Sequence, residues 1–424
     1  MFLKAVRLKN VRGFREHEFS FESDAPKRRK AANRRLTLLL GENGTGKSNF
    51  LKSIALVTAG RDALAEIIGE PKSWVRNGCA SCEIEAVLQT QSNEERIIRL
   101  EIRKSDSVSK VMDRAKSSLS DLDDALEYTN RNYFVLAYGA SRRLNLNRSR
   151  RSKSSYYRHP RAQSIATLFN PDASLTPIES WAMDMDYQTN KSSLSTIKKV
   201  MSQFLREVDF VKIDKRRGQL IFKTPLGNVP MSQLSDGYQN VAAWIGDLLF
   251  RVSEAFEDYK NPLKTRGLLL IDEIDLHLHP SWQRDLLSFL RRKLPNFQII
   301  ATTHSPITAQ QAQEHELYYI ERSRKKITIN PFIGNPKALL LHQLINSDLF
   351  GMTSDLSVEM EKKKKRFEKL SKQTRLTVAQ KKERKKLEDD LSTKPSVVRS
   401  NMELTTEQMD LLKQIHNELK GGKE

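Results

Sequence analysis

An α/β fold with a parallel core around a P-loop is the class this sequence predicts, and three short apolar runs predict it. Leu36-Thr37-Leu38-Leu39-Leu40 leads into Gly41-Glu42-Asn43-Gly44-Thr45-Gly46-Lys47-Ser48 and then into Asn49, Phe50, Leu51 and Ile54, in the order strand, glycine loop, helix. Gly267 to Ile271 ends in the paired carboxylates Asp272 and Glu273, and Phe297 to Thr303 ends in His304. Continuous apolar runs bounded by turn residues are the pattern of strands buried on both faces, as parallel strands under helices are.

The glycine loop comes first because its chemistry is the most specific. Glycines at 41, 44 and 46 let successive backbone N–H groups curl around an anion at the positive end of a helix. Lys47 then reaches the outer phosphates of a nucleotide, and the Ser48 hydroxyl is placed to ligate Mg²⁺. The following helix has Phe50, Leu51, Ile54, Ala55 and Val57 on the face that packs on a sheet. Nucleotide binding is the fixed point of the reading.

Asp272 and Glu273 fall at the carboxyl edge of the expected sheet, where α/β proteins bind ligands. Asp272 suits holding Mg²⁺ through water, and Glu273 suits taking a proton from an attacking water. His304 ends a strand at the same edge, from which it can donate to a γ-phosphate. Ser235-Asp236-Gly237 opens a helix bearing Val241, Trp244, Ile245, Leu248 and Leu249. Taken alone, that start is an ordinary N-cap whose hydroxyl, N–H groups and dipole favour an anion.

Composition narrows the class of protein. The chain has 424 residues, a net charge of +20, 38% hydrophobic and 29% charged residues. The low apolar share points to long exposed helices or polar insertions beside a globular part. A field of that size favours polyanions, nucleic acid foremost. With no run of about 18 apolar residues and a start that alternates like a strand, a soluble, cytoplasmic protein without membrane contact is expected. Cys79 and Cys82 form a lone CxxC with no second pair, read as two reduced thiols at a strand start.

Along the chain, residues 2–9 and 17–22 alternate as strands around a turn at Val11 to Phe14. Basic, polar residues 23–34 read as an exposed connection, residues 82–88 and 96–102 as two strands, and residues 106–128 as a polar helix. Asn132 to Tyr138 is another buried strand. The stretch 142–161 then carries Arg148, Arg150, Arg151, Lys153, Arg158 and Arg161 around Tyr156 and Tyr157, without an acidic residue. Either it grips phosphates of DNA or RNA and stacks on bases, or it is a solvated loop. Residues 192–208 show helical spacing of Leu194, Ile197, Val200, Met201, Phe204 and Leu205, and a hairpin follows from Phe210 to Thr224. Beyond Thr353 the chain is densely charged with sparse apolar positions. Thr377 with Gln380 and Thr405 with Gln408 mark short helices there, expected to dock on another surface.

The order of these motifs, phosphate loop, Leu234-Ser235-Asp236-Gly237-Tyr238-Gln239, Leu270-Ile271-Asp272-Glu273 and Thr303-His304-Ser305, resembles the ATP-binding heads of the ABC superfamily. Leu8-Lys9-Asn10-Val11-Arg12-Gly13-Phe14 and Ile274-Asp275-Leu276-His277-Leu278-His279-Pro280 resemble its RecF/SMC-like branch. Ala137 to Arg142, Leu168-Phe169-Asn170 and Glu179-Ser180-Trp181 are similar to the anti-phage ATPases of the Septu type, PtuA, with those of the PARIS type close behind. The resemblance implies an ABC-type head with a mixed-sheet lobe and a helical lobe, ATP and Mg²⁺ as cofactors, and ATP hydrolysis. By it, Lys47 and its loop, including Asn43, Thr45 and Asn49, bind phosphate, Ser48 and Asp272 hold Mg²⁺, Glu273 is the catalytic base, His304 the switch histidine, and Asp275 belongs to the D-loop. Ser235 and Gly237 match the signature that caps a nucleotide held by a second copy, and Arg12 matches an arginine that touches phosphates.

A homodimer or higher homo-oligomer is thereby implied, together with an HNH-type nuclease partner. The expected layout is 1–104 for the first part of the head, 105–235 for the helical lobe with the basic loop, 236–350 for the rest of the head and 351–424 for a charged helical extension. A RecF-like ATPase of DNA repair or recombination is the alternative. The family's Q-loop glutamine is missing: its strand end reads Tyr138-Gly139-Ala140-Ser141-Arg142, so Arg142 is a candidate for that phosphate-sensing work.

Overall fold

The computed structural model describes residues 2–22, 34–90, 93–126, 134–142, 157–187, 191–205, 207–256, 259, 261–323, 326–347, 349–350, 357–373 and 377–392. The chain divides into two units, Met1–Met352 and Thr353–Glu424.

Unit one opens as a hairpin of β1 (Phe2–Val11) and β2 (Phe14–Ser20), Val11 standing opposite Phe14. The phosphate-loop strand β3 (Leu36–Leu40) and helix α1 (Lys47–Thr58) follow, then α2 (Arg61–Ile67), β4 (Ser81–Gln89), β5 (Glu95–Arg103) and α3 (Val108–Leu126). Strand β6 (Val135–Tyr138) precedes α4 (Pro160–Phe169), α5 (Ile178–Tyr187) and α6 (Lys191–Phe204). A small meander, β7 (Asp209–Asp214), β8 (Gln219–Thr224) and β9 (Gly227–Pro230), leads to the long helix α7 (Asp236–Ala255). Then come β10 (Gly267–Ile271), α8 (Pro280–Lys293), β11 (Phe297–Thr303), α9 (Pro306–Gln310), β12 (Leu317–Arg322), β13 (Ile327–Pro331) and α10 (Leu341–Ile345).

Three sheets result. An antiparallel one runs β2-β1-β4-β5, a six-stranded one runs β13-β12-β3-β11-β10-β6, and the meander forms a third. In the six-stranded sheet every neighbouring pair from β12 to β6 is parallel and only β13 is antiparallel. The period of two along these strands sorts their side chains between two cores. Leu39, Leu268 and Leu270 pack with α1, α2, α4 and the antiparallel sheet, while Leu36, Leu38, Leu40, Leu269 and Ile271 pack with α6, α7 and α8. This is a mixed α/β architecture with a parallel-strand core, as expected from the sequence.

Two placements differ from the sequence reading. Residues 105–235 are not one helical lobe: β6 is a strand of the main sheet and α3 packs on β5, so only the later part of that span joins the helices of the second core. Strands β9, β12 and β13 are not foreseen: β9 is four residues with Gly and Pro, β12 lacks alternation, and β13 alternates Ile327-Thr328-Ile329-Asn330 over too short a run to stand out. In unit two α11 (Val358–Ser371) and α12 (Val378–Ser392) pack on each other. Lys363 meets Asp390 at 2.9 Å, and Arg366 binds both oxygens of Glu383 at 2.9 and 3.0 Å. Thr377 and Gln380 form the expected reciprocal cap of α12. The expected helix at Thr405, the Lys27 to Lys30 cluster and residues 143–156 of the basic loop lie outside the described residues.

Candidate nucleotide site

Because β3, β11, β10 and β6 run parallel as neighbours, their carboxyl ends bring the phosphate loop, His304, Asp272 and the segment ending at Arg142 to one edge of the sheet. No strand supplies more than one of these groups.

The loop is shaped by its backbone. Gly46 caps α1 at φ 109°, a left-handed conformation, and a Cβ there would press on Ile327 and Phe14 at 3.3 and 3.4 Å. Thr45 donates its hydroxyl to the Glu42 carbonyl at 2.8 Å, and Arg322 from β12 donates to the Gly44 carbonyl at 3.1 Å. No side chain caps the first turn of α1 and no acidic residue stands in it, which keeps its N–H groups suited to an anion. The buried Lys47 ammonium donates to the carbonyls of Gly41 at 2.7 Å and Glu42 at 2.9 Å. Burial lowers its pKa, and the negative fields of Asp272 and Glu273 act in the other direction. Asn43 and Gly44 are exposed at the loop tip, and Ser48 is half-buried in the first turn of α1.

Two threonines at the end of β11 fix the acidic loop. The Thr302 hydroxyl donates to the Asp272 carboxylate and accepts from the Glu273 N–H, both at 2.7 Å. Thr303 donates to the Asp275 carboxylate at 2.7 Å and accepts from the Ser305 N–H at 2.9 Å. Glu273 itself has φ 49°, a backbone strain found where function over-determines geometry. His304 is exposed beside this loop. Burial and Lys47 lower its pKa below the ordinary 6.5 against the pull of Glu273, Asp275 and Asp272. Lys47, Asp272, Glu273 and His304 thus share one electrostatic neighbourhood.

Arg12, at the tip of the β1–β2 hairpin with φ 46°, donates to Asn49 Oδ1 at 2.6 Å and lies over the Trp74 ring at 4.1 Å. It borders a cavity of about 590 Å³ beside α1, lined also by Lys52, Glu66, Trp74, Arg158 and Asn170. Burial lowers the pKa of both Arg12 and Lys52. Of the basic stretch, Arg158 reaches this cavity and Arg161 pairs with Asp123 at 3.4 Å.

Ser235 and Gly237 stand apart from this group. Ser235 is exposed before α7 with its hydroxyl capping no backbone group, and Gly237 lies beside Trp282. Among the described residues, none of the hydrogen bonds or ion pairs joins them to Lys47, Asp272 or His304. Sequence reasoning missed Thr302, Thr303 and Arg322. A signal for the threonines was present, two hydroxyls at the end of an apolar strand. Cys79 and Cys82 are free thiols, and burial pushes the Cys82 thiol up to about 12.

Residues 36–309, from the phosphate-loop strand to the helix after His304, match the family described as "AAA domain, putative AbiEii toxin, Type IV TA system". The chain belongs to this AAA family. The AAA domain contains every residue placed at the sheet edge above. Over 92% of its length the chain is 26% identical to the Septu protein PtuA of Bacillus mycoides, and over 33% of its length it is 33% identical to a retron Ec83 probable ATPase of Escherichia coli. These matches take in 50% and 26% of those relatives, so the chain spans half or less of their length. In three dimensions it is similar to the SMC head domain of Thermotoga maritima, with 79% of this chain and 100% of that one covered at 16% identity and a TM-score of 0.43. Among the described residues no helix is long and apolar enough to cross a membrane.

Proposed function

We propose that the protein is a Mg²⁺-dependent ATPase that oligomerises around ATP and, in anti-phage defence, regulates a partner nuclease of the HNH type. The observation that carries the reading is the convergence of Lys47, Asp272, Glu273 and His304 at one sheet edge, inside an AAA domain and in a chain similar to a Septu protein. The loop N–H groups and Lys47 bind the phosphates. Arg12 reaches the inner phosphates beside Asn49, and the cavity it borders takes the nucleoside. A hydroxyl at Ser48 and a carboxylate at Asp272, both hard oxygen donors, fit Mg²⁺, which takes few protein ligands alongside phosphates. When bound, that ion neutralises charge developing on the phosphates. Glu273 accepts the proton of the attacking water, and His304, neutral near pH 7, donates one N–H toward the γ-phosphate. The exposed Ser235 and the half-buried Gly237 close the γ-phosphate of a second copy.

Testing starts with Lys47→Ala, which is expected to weaken ATP binding at least about tenfold, the effect of losing one charge-assisted contact worth about 1.5–3 kcal/mol. Titration with a fluorescent ATP analogue reads it, and unchanged affinity would end the proposal. Mass measurement with ATP and Mg²⁺, using Glu273→Gln to slow turnover, should show a multiple of the chain mass that Ser235→Arg abolishes.

Little pH dependence near neutrality follows from His304. Its pKa is held below 6.5, so the ring stays neutral from pH 8 to about 6.5, and the protonated ring still donates the same N–H, so hydrolysis should stay level across that range. His304→Gln, which keeps an N–H donor, should leave the shape of the profile unchanged there, which steady-state rates across pH would record.

The net charge of +20 favours a second reading, a RecF-like DNA-binding ATPase. It requires log K to fall with log salt at a slope of about −0.9 per phosphate neutralised, and a protein regulator lacks that binding at physiological salt.

A further inference from the structure

The Q-loop position holds Arg142, and its guanidinium is engaged with backbone and an aromatic ring rather than free to meet a phosphate. One amino group donates to the Glu273 carbonyl and lies 3.5 Å from the Asp272 carbonyl, and the guanidinium sits over the Trp244 ring at 5.0 Å. Asp275, Asp272 and Glu273 surround it, yet burial still pushes its pKa down to about 10. Glu273 is therefore gripped at both ends of its residue, its N–H by Thr302 and its C=O by Arg142. A glutamate at φ 49° relaxes unless held, since such a conformation costs of order 1–3 kcal/mol.

The path to Arg142 is equally constrained. A Cβ on Gly139 would lie 2.1 Å from the Thr167 carbonyl, so β6 ends pressed against α4, where the Gly139 N–H donates to the Thr167 hydroxyl at 3.3 Å. Tyr138, just before it, donates its hydroxyl to Asp247 of α7 at 2.7 Å. Trp244 and Asp247 sit on the same helix that begins behind Ser235 and Gly237. The end of β6 thus touches α7 through Tyr138 and Arg142, and Arg142 also reaches the acidic loop.

We infer that Arg142 is a positioning residue for hydrolysis: it clamps the Glu273 backbone so that the carboxylate is aimed, and it couples that aim to the position of α7 through Trp244. The inference rests on the ATPase reading of the preceding section. It replaces the expectation that Arg142 senses phosphate, and it makes hydrolysis responsive to whatever occupies the start of α7.

The test uses the full chain with Arg142→Met, Arg142→Lys and Trp244→Leu. A displaced catalytic group of about 1 Å costs up to about 10²-fold, so Arg142→Met should lower kcat by at least about tenfold while KM for ATP stays within about threefold. Arg142→Lys, which keeps a donor but not the planar stack, should fall between it and wild type. Trp244→Leu should lower kcat in the same direction, and the double variant should be no slower than Arg142→Met alone. Hydrogen exchange of the Ile274 amide, which donates to the Thr302 carbonyl of β11, and of the Leu276 amide, which donates to the Glu273 carbonyl, should quicken in Arg142→Met at unchanged global stability. A raised KM with preserved kcat would overturn the inference in favour of a phosphate contact, and so would unaltered exchange. Should wild type hydrolyse no faster than Glu273→Gln, the ATPase reading falls instead. The exchange data still decide whether Arg142 clamps the loop.

Discussion

Glu273→Gln will leave ATP bound and slow its hydrolysis by about 10² to 10⁴-fold, the usual contribution of a positioned general base. The substitution keeps the size of the side chain and both backbone contacts, since Thr302 holds the N–H and Arg142 the carbonyl. Only the capacity to take a proton is removed. The acidic loop should therefore keep its shape, and nucleotide affinity should stay within about threefold, because a group acting in the transition state alone alters kcat and not ground-state binding. Single-turnover hydrolysis beside equilibrium binding separates the two quantities. Equal turnover in variant and wild type would remove Glu273 from the mechanism.

Asp247→Ala will cost about 3–5 kcal/mol of stability, the range for breaking a buried ion pair from one side. Asp247 is 1% exposed in the middle of α7 and accepts from Tyr138 Oη at 2.7 Å, Arg251 Nε at 3.0 Å and the Thr176 N–H at 2.9 Å. Three donors lose their acceptor at once, and Arg251 keeps the Thr176 hydroxyl at 3.1 Å and the field of Glu254 but loses its hydrogen-bonded carboxylate. Asp247→Asn keeps an acceptor and should cost less. Urea denaturation followed by tryptophan fluorescence measures both, and losses below about 1 kcal/mol for Asp247→Ala would show that water replaces the carboxylate.

What could be read without coordinates was local. The phosphate loop, the Asp272-Glu273 strand end and the Thr303-His304 strand end each declare themselves within some ten residues, because a buried parallel strand is a continuous apolar run and the turn after it is polar. Even the capping of α12 by Thr377 follows from four residues. The contacts that tune the site are of another kind. Arg142 meets Trp244 across the fold, Tyr138 meets Asp247, and Arg322 reaches Gly44 from a strand with no clear period. Such pairs depend on which helix lies over which strand, and single-sequence periodicity holds no record of it. Arg142 was visible as a departure from a pattern, but its direction, toward carbonyls and not toward phosphate, was set by packing.

The six-stranded sheet has one further effect. It is the common wall of two chambers of apolar side chains, with Leu39 and Leu268 on one side and Leu40 and Ile271 on the other. Neither chamber can empty without stripping the wall of half its cover, so the first unit should melt as one piece. The rim that carries the phosphate loop, Asp272 and His304, built on that wall, inherits its rigidity from both sides and would be lost in a single step with the rest.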